Sequence, residues 1–500
     1  MAKKSCTVSR RWFLAGLLAC TAPSALAGAL KRSPVPPPRP GATLKAGVPE
    51  AEALVARAGL SGQVAFALAD ARTGEILEAR NPLLPLPPAS TAKTITTLYA
   101  LETLGPDFRF QTRLLGTGPV KNGRLAGDLI LAGGGDPTLD SDMLGTLAMR
   151  LKKAGVREVA GRFLYHDAAL PRLRMIDQGQ PVTAGYNPAI SGLNLNFNRV
   201  RFHWARASDG WDVTMNAQAR RYGPQVSVTR MRVVDRQMPV YTYSGGMGGD
   251  EWTVASGALG SDGSRWLPVR RPSIYAAEVF QTLARSHGID LPQAQRVGDL
   301  PVGATMLADL PSAPLSVILR DMLKFSTNLT AEAVGLTASE SRGARGASLV
   351  DSADEMNDWA RAELGLRHAR FVDHSGLGDS ARITAGDMVR ALVRAGPDGA
   401  LNKLMKEVHM RDRQGRPIRD GEVTVHAKTG TLNFASGLVG YLRAGDGRPL
   451  AFAIYAADLA RRDGLSPAER DHPPGGRAWL GAARRLQMDL IDRWAVLHSG

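Results

Sequence analysis

Pro82, Pro85, Pro87 and Pro88 stiffen the approach to Ser90, and a helical pattern begins directly behind it. Proline fixes its own φ, so a loop this rich in it has few conformations to choose from. Ile95, Leu98, Leu101 and Leu104 recur at helical spacing, and Gly105-Pro106 closes the pattern. Ser90 therefore opens a helix, and Lys93, three residues on, shares its face. The pairing has a chemical use. A serine hydroxyl is a weak nucleophile until a neighbour takes its proton. A lysine can be that neighbour when burial or nearby cations lower its pKa. The free N–H groups of a helix start also suit a developing oxyanion. Taken alone, Ser-x-x-Lys is a common pattern, and Ser90 reads equally as an N-cap.

The segments around this helix predict a sheet with helices on it. Glu50 to Ala58 reads as a helix. Val64, Phe66 and Leu68 alternate with alanines, which suits a strand with one face packed tightly under a helix. Arg72 to Glu75 is a turn, and Ile76 to Ala79 a second strand. Leu315, Ile318, Leu319, Met322 and Leu323 form an amphipathic helix ending at Lys324 to Asn328, and a further helix follows from Leu329. Val423 to Thr431, Gly437 to Leu442 and Leu450 to Ala456 read as successive strands, the last two joined at Gly445-Asp446-Gly447. A helix from Arg477 to Val496 would cover them. Between these parts, residues 107 to 305 are rich in short alternating runs and turn signals. Examples are Arg124 to Leu131, Leu193 to Phe197 and Val226 to Val234. They predict inserted, mainly β modules with helices near 141–154 and 273–287.

Composition removes other classes. The 500 residues are 44% hydrophobic and 22% charged, ordinary for a soluble globular chain. The net charge of +15 is dispersed, with no run of five basic residues, so it reads as a solvated surface suited to polyanionic surroundings rather than to nucleic acid. Both cysteines, Cys6 and Cys20, lie in the first twenty residues, which excludes a disulfide framework or cysteine metal site in the body. No His-Glu-x-x-His, Walker loop or Gly-x-Ser-x-Gly elbow is present, and neither cofactor nor metal is called for.

Residues 1–27 read as an export signal: Lys3, Lys4, Arg10 and Arg11, then an apolar Phe13 to Ala19, then Ala25-Leu26-Ala27. Ser9-Arg10-Arg11-Trp12-Phe13-Leu14 resembles a twin-arginine signal, and the expected location is the periplasm. Cleavage there lowers the net charge from +15 to +11. Leu17-Leu18-Ala19-Cys20 resembles a lipoprotein box, which leaves lipid anchoring at Cys20 and peripheral membrane association open. Residues 28–47, with five prolines between Pro34 and Pro40, are a linker.

Three motifs stand in order: Ser90-x-x-Lys93, Ser326-x-Asn328 and Lys428-Thr429-Gly430. Together with Gly127 to Leu131, Gly133 to Leu139, Leu193 to Asn198 and Asn328-Leu329-x-Ala331-Glu332, they resemble the D-alanyl-D-alanine carboxypeptidase/endopeptidase family, the low-molecular-mass class C penicillin-binding proteins. The resemblance runs from about 50 to 490. It implies an α+β fold with a penicilloyl-serine transferase domain, of the β-lactamase/transpeptidase-like kind. In that fold an antiparallel sheet is covered by helices, and two mainly β domains are inserted between the first and second motifs. Residues 48–106 and 306–500 would form the catalytic domain, 107–165 and 264–305 one insert, and 166–263 the other.

Chemistry and resemblance together assign roles. Ser90 attacks the carbonyl between two D-alanines of a peptidoglycan stem peptide and becomes acylated. Lys93 takes the proton, kept neutral with help from Lys428. Ser326 relays a proton to the leaving amine, and Asn328 holds Lys93 or the substrate amide. Lys428, Thr429 and Gly430 bind the terminal carboxylate, and the N–H groups of Ser90 and Thr431 form the oxyanion hole. β-Lactams would acylate the same serine. Glu332 is a supporting residue, and His426 a structural one. Asp373-His374-Ser375-Gly376-Leu377-Gly378 departs from the family's Asp-Gly-Ser-Gly-Leu-Ser at His374 and Gly378, which bears on specificity if that loop lines the groove. Thr327 also replaces the more usual Asp or Asn. A serine β-lactamase and a non-catalytic peptidoglycan-binding protein remain alternatives. Oligomeric state is not set by the sequence.

Overall fold

The computed structural model describes residues 47–246, 249–344, 348–409, 423–443, 445–466 and 469–498. The expected export signal, Cys20 and the linker up to residue 46 lie outside them. Strands Gln63–Asp70 and Pro449–Ala457 pair antiparallel inside a six-stranded sheet. In both, large side chains alternate with alanine. Val64, Phe66, Leu68, Phe452 and Ile454 face one side, and Ala65, Ala67, Ala69, Ala451 and Ala453 the other. The alanine side lets the helix Ala385–Ala395 lie close on the sheet. Trp479, Leu486, Leu490 and Trp494 of the helix Gly476–Leu497 cover the large side chains, with help from Ala51–Ala58. Burying each such side chain contributes about 1.5–3 kcal/mol. Across the sheet the order is Lys406–Glu407, Thr424–Leu432, Ala435–Arg443, Pro449–Ala457, Gln63–Asp70, Ile76–Arg80, and every pairing is antiparallel.

On the alanine side sit the helices Ala92–Leu104, Leu315–Phe325, Asn328–Ser341 and Leu349–Glu363. The predicted apolar stripe of Leu315, Ile318, Leu319, Met322 and Leu323 is buried throughout. That helix stops at Ser326, whose φ of +59° is left-handed. A non-glycine residue there costs roughly 1–2 kcal/mol. The kink turns the chain between two helices and sets Ser326 at the joint.

Between the first and second motifs the chain builds a five-stranded sheet, in the order Ala294–Val297, Phe163–His166, Leu129–Ala132, Gln111–Gly116, Thr305–Pro311. Two larger three-stranded sheets and a small one follow, with helices Ser141–Lys153 and Pro272–Ser286. One stretch differs from its sequence pattern. Leu193 to Phe197 alternates like a strand but forms a loop ending in a short 3-10 turn, Asn196–Asn198. All three turn residues have positive φ, between 50° and 56°. The asparagines explain it: Asn194 Oδ1 accepts from Ser191 N–H, and Asn198 Oδ1 from Leu195 N–H, so side chains replace a strand partner.

Candidate active site

Ser90 lies in a 3-10 turn, Ala89–Thr91, that runs straight into the helix Ala92–Leu104. Ala89 has φ +47°, so the turn before the serine is strained, as chains often are where a group must be presented. Gly376 packs against that turn. It has φ +77°, and a Cβ on it would come within 1.9 Å of Ala89 O. Only glycine permits the approach.

Lys93 is fully buried, and its ammonium has three partners: Ser90 Oγ at 3.0 Å, Asn328 Oδ1 at 2.7 Å and Ser375 O at 2.8 Å. Asn328 is fixed at its other end, where Nδ2 donates to Tyr186 O at 2.8 Å. Lys428, also buried, donates to Ser326 Oγ at 2.9 Å and to Thr429 O at 2.7 Å. Residues 90, 93, 326, 328 and 428 thus meet from one helix start, one helix joint and one strand. Ser90, Ser326, Asn328 and Thr431 line a cavity of about 350 Å³. Lys93 and Lys428 lie beneath its floor. Gly430 is buried against the Ser90 turn, facing Pro88 O. Thr429 is exposed and stands off the cavity wall.

Burial holds Lys93 down to a pKa of about 8, against the opposing pull of the buried Glu332 and Asp373 carboxyls. Desolvation, rather than the Lys428 charge expected from the sequence, is the dominant cause. Lys428 is itself pushed well down by burial, and further by the charge of Lys93.

Glu332 is fully buried, and its carboxylate accepts from the N–H groups of His374 at 3.0 Å and Ser375 at 2.9 Å. Burial, then the nearby Asp373, pushes its pKa up. Asp373 in turn accepts from Gly376 and Gly378 N–H, both at 2.6 Å. The two acids therefore shape the loop whose Ser375 carbonyl holds Lys93. His374 does not line the cavity. Its ring is fully buried, with Nε2 2.7 Å from Ser352 Oγ and its face stacked on Tyr99. Burial drives its pKa down to about 3, so it is neutral. A Cβ at Gly335 would lie 2.1 Å from the ring, so Gly335 makes the room His374 needs. His426 bonds Asn402 Oδ1 at 2.8 Å through Nδ1 and is not among the residues lining the cavity.

The cavity rim holds residues that no motif marked. Gln180 and Tyr186 come from the inserted region; Asp379, Arg462 and Arg470 come from the catalytic part. Arg462 pairs with Asp379, and Arg470 donates to Gly179 O at 2.5 Å. These contacts join segments 83 and 291 residues apart, which no local spacing could reveal.

Residues 50–470 match the model of the D-Ala-D-Ala carboxypeptidase 3 (S13) family. The chain is 29% identical over 479 residues to the D-alanyl-D-alanine carboxypeptidase of Actinomadura sp. (strain R39), covering 86% of each. It is 25% identical over 403 residues to D-alanyl-D-alanine carboxypeptidase DacB of Haemophilus influenzae, covering 76% of this chain and 82% of that protein. The crystal structure of penicillin binding protein 4 (dacB) from H. influenzae superimposes with a TM-score of 0.70 at 20% identity, covering 89% of this chain and 99% of that one. Its complex with a β-lactam gives 0.69 at 21% identity, with the same coverage. The α+β arrangement of a helix-covered antiparallel sheet is therefore that of the penicilloyl-serine transferases, and the chain belongs to the D-Ala-D-Ala carboxypeptidase 3 (S13) family of serine-type peptidases.

Proposed function

We propose that the chain removes the terminal D-alanine from peptidoglycan stem peptides through an acyl-enzyme on Ser90. The observation that carries this is the contact of Ser90 Oγ with a buried, pKa-lowered Lys93 at 3.0 Å, on the floor of a peptide-sized cavity. Neutral Lys93 takes the hydroxyl proton as Ser90 attacks the carbonyl between the two D-alanines. The N–H groups of Ser90 and Thr431 receive the oxyanion, each donor worth on the order of 3 kcal/mol in the barrier. Ser326, in contact with Lys428, passes a proton to the leaving amine. Asn328 holds Lys93 in register. Thr431, which lines the cavity, supplies a hydroxyl for the terminal carboxylate, and Lys428 beneath it adds positive charge when protonated. Water then releases the shortened peptide.

A β-lactam presents its strained amide to the same serine, and the β-lactam complex of the H. influenzae relative supports covalent capture here. Residues 1–27 direct the chain to the periplasm, where this substrate lies; their charge pattern supports it. The test is fluorescent penicillin labelling of the purified chain, with hydrolysis of a D-Ala-D-Ala peptide in parallel. Wild type should label and hydrolyse, and Ser90→Ala should do neither. Rapid turnover of a chromogenic cephalosporin without peptide hydrolysis would make it a β-lactamase instead. Absence of labelling would leave a non-catalytic wall-binding protein.

A further inference from the structure

A second cavity, of about 300 Å³, opens in the inserted region. Its charge is one-sided. Arg172, Arg174, Arg270, Arg271 and Arg296 line it, against a single carboxylate, Asp167. Asp167 is already engaged: Oδ1 accepts from Arg296 Nε at 2.9 Å, and Oδ2 from Ser273 Oγ at 2.7 Å. Within the lining it faces five guanidinium groups, and the other nearby carboxylate, Asp250, accepts from the Arg270 backbone N–H.

Three further features suit an anion. Ser273 lies in the first turn of the 15-residue helix Pro272–Ser286, so the positive end of its dipole meets the cavity wall. Arg270 is 95% buried. Its Nη atoms donate to the carbonyls of Arg174, Asn187 and Val182, but its Nε–H has no partner among the described residues. A buried unpaired donor costs roughly 1–3 kcal/mol and marks this wall as short of acceptors. Arg172 is exposed and makes no hydrogen bond or ion pair among the described residues, and Arg174 has only a long 3.4 Å contact to Tyr243 OH. Guanidinium groups grip carboxylates and phosphates in paired hydrogen bonds. Leu173, Ile190 and Ile274 give the lining an apolar part, beside the hydroxyl-bearing Tyr165 and Ser191.

We infer that this cavity binds an oxyanion, a carboxylate or phosphate carried on a partly apolar ligand, at a site separate from the Ser90 cleft. Two sources share that chemistry: the carboxylates of a stem peptide and the phosphates of a polyanionic wall polymer. Calorimetric titration of the full chain with pyrophosphate, and separately with a stem tripeptide lacking D-alanyl-D-alanine, distinguishes them. At least one should bind, and the one that binds names the source. Arg172→Ala/Arg174→Ala should weaken that binding at least tenfold while fluorescent penicillin still labels Ser90 at the wild-type rate. Should the double variant fail to label, Arg172→Ala alone, at an exposed and unpartnered position, should still weaken binding about threefold. The inference is overturned if neither probe binds the wild-type chain, or if the variants bind as tightly as wild type.

Discussion

The floor and the rim of the Ser90 cleft are built in opposite ways. The floor is buried and densely bonded: Lys93 has three hydrogen-bond partners, Lys428 two, and Glu332 two backbone donors. The rim is half-open and charged, with Asp379, Arg462 and Arg470 joined by ion pairs across segments distant in sequence. A buried polar group must be satisfied in one geometry, so the floor tolerates little movement. The partly solvated Arg470–Asp379 pair contributes about 0–1 kcal/mol, so that part of the rim can change with little effect on the fold, whereas the buried Arg462 is held more firmly. The contrast separates the two tasks: a fixed floor can carry proton transfer, and an adjustable rim can select the peptide.

The sharpest way to break this contrast is at Lys93. Lys93→Ala should lower the rate of penicillin acylation by about 10³-fold or more, because it removes the base and the tie to Asn328 together. In the wild-type chain only neutral Lys93 can take the proton, and its pKa is about 8. The acylation rate should therefore climb about tenfold per pH unit below pH 7 and level off above pH 8. Stopped-flow labelling across pH 6 to 10 measures this. A rate that falls as pH rises toward 8 would mean that Lys93 is not the base.

A second test concerns how the floor is packed. Gly335 and His374 are complementary, so Gly335→Ala should destabilise the chain by about 1–3 kcal/mol through overpacking. His374→Gly should also destabilise, by leaving an empty space beside Tyr99 and Met356. Combined, the two substitutions should cost less than their sum, because each removes the reason the other is harmful. Urea unfolding of the four chains decides it. Simple additivity would show that the ring and the glycine do not depend on each other.

The same contrast explains what could be read from the sequence. Ser90 and Lys93 are legible because one helical turn must carry both, which fixes their spacing at three. The sheet is legible because alternation of large residues with alanine in Val64 to Ala69 and Leu450 to Ile454 records its two unlike faces. The role of His374 is not legible. Its departure from the family pattern points to the groove, whereas its ring turns into the core because Gly335, 39 residues earlier, leaves it space. Leu193 to Phe197 misleads for a related reason: alternation there serves asparagine side chains that bond the backbone, not a strand. Arg470 meeting Gly179 O leaves no trace in either segment, since only the folded chain brings them together.

The mildest effect should come from that last contact. Arg470 links the inserted loop at Gly179 to Asp379 on the catalytic side, with its side chain about one-third exposed. Arg470→Ala loosens this wall without touching Ser90, Lys93 or their bonds. Peptide hydrolysis should then show KM raised by about two- to fivefold and kcat within twofold of wild type. Such a split is what an interaction used equally in ground and transition states produces. A hundredfold loss of kcat with KM unchanged would mean that the rim takes part in the chemical step, and the division between a reacting floor and a selecting rim would no longer hold.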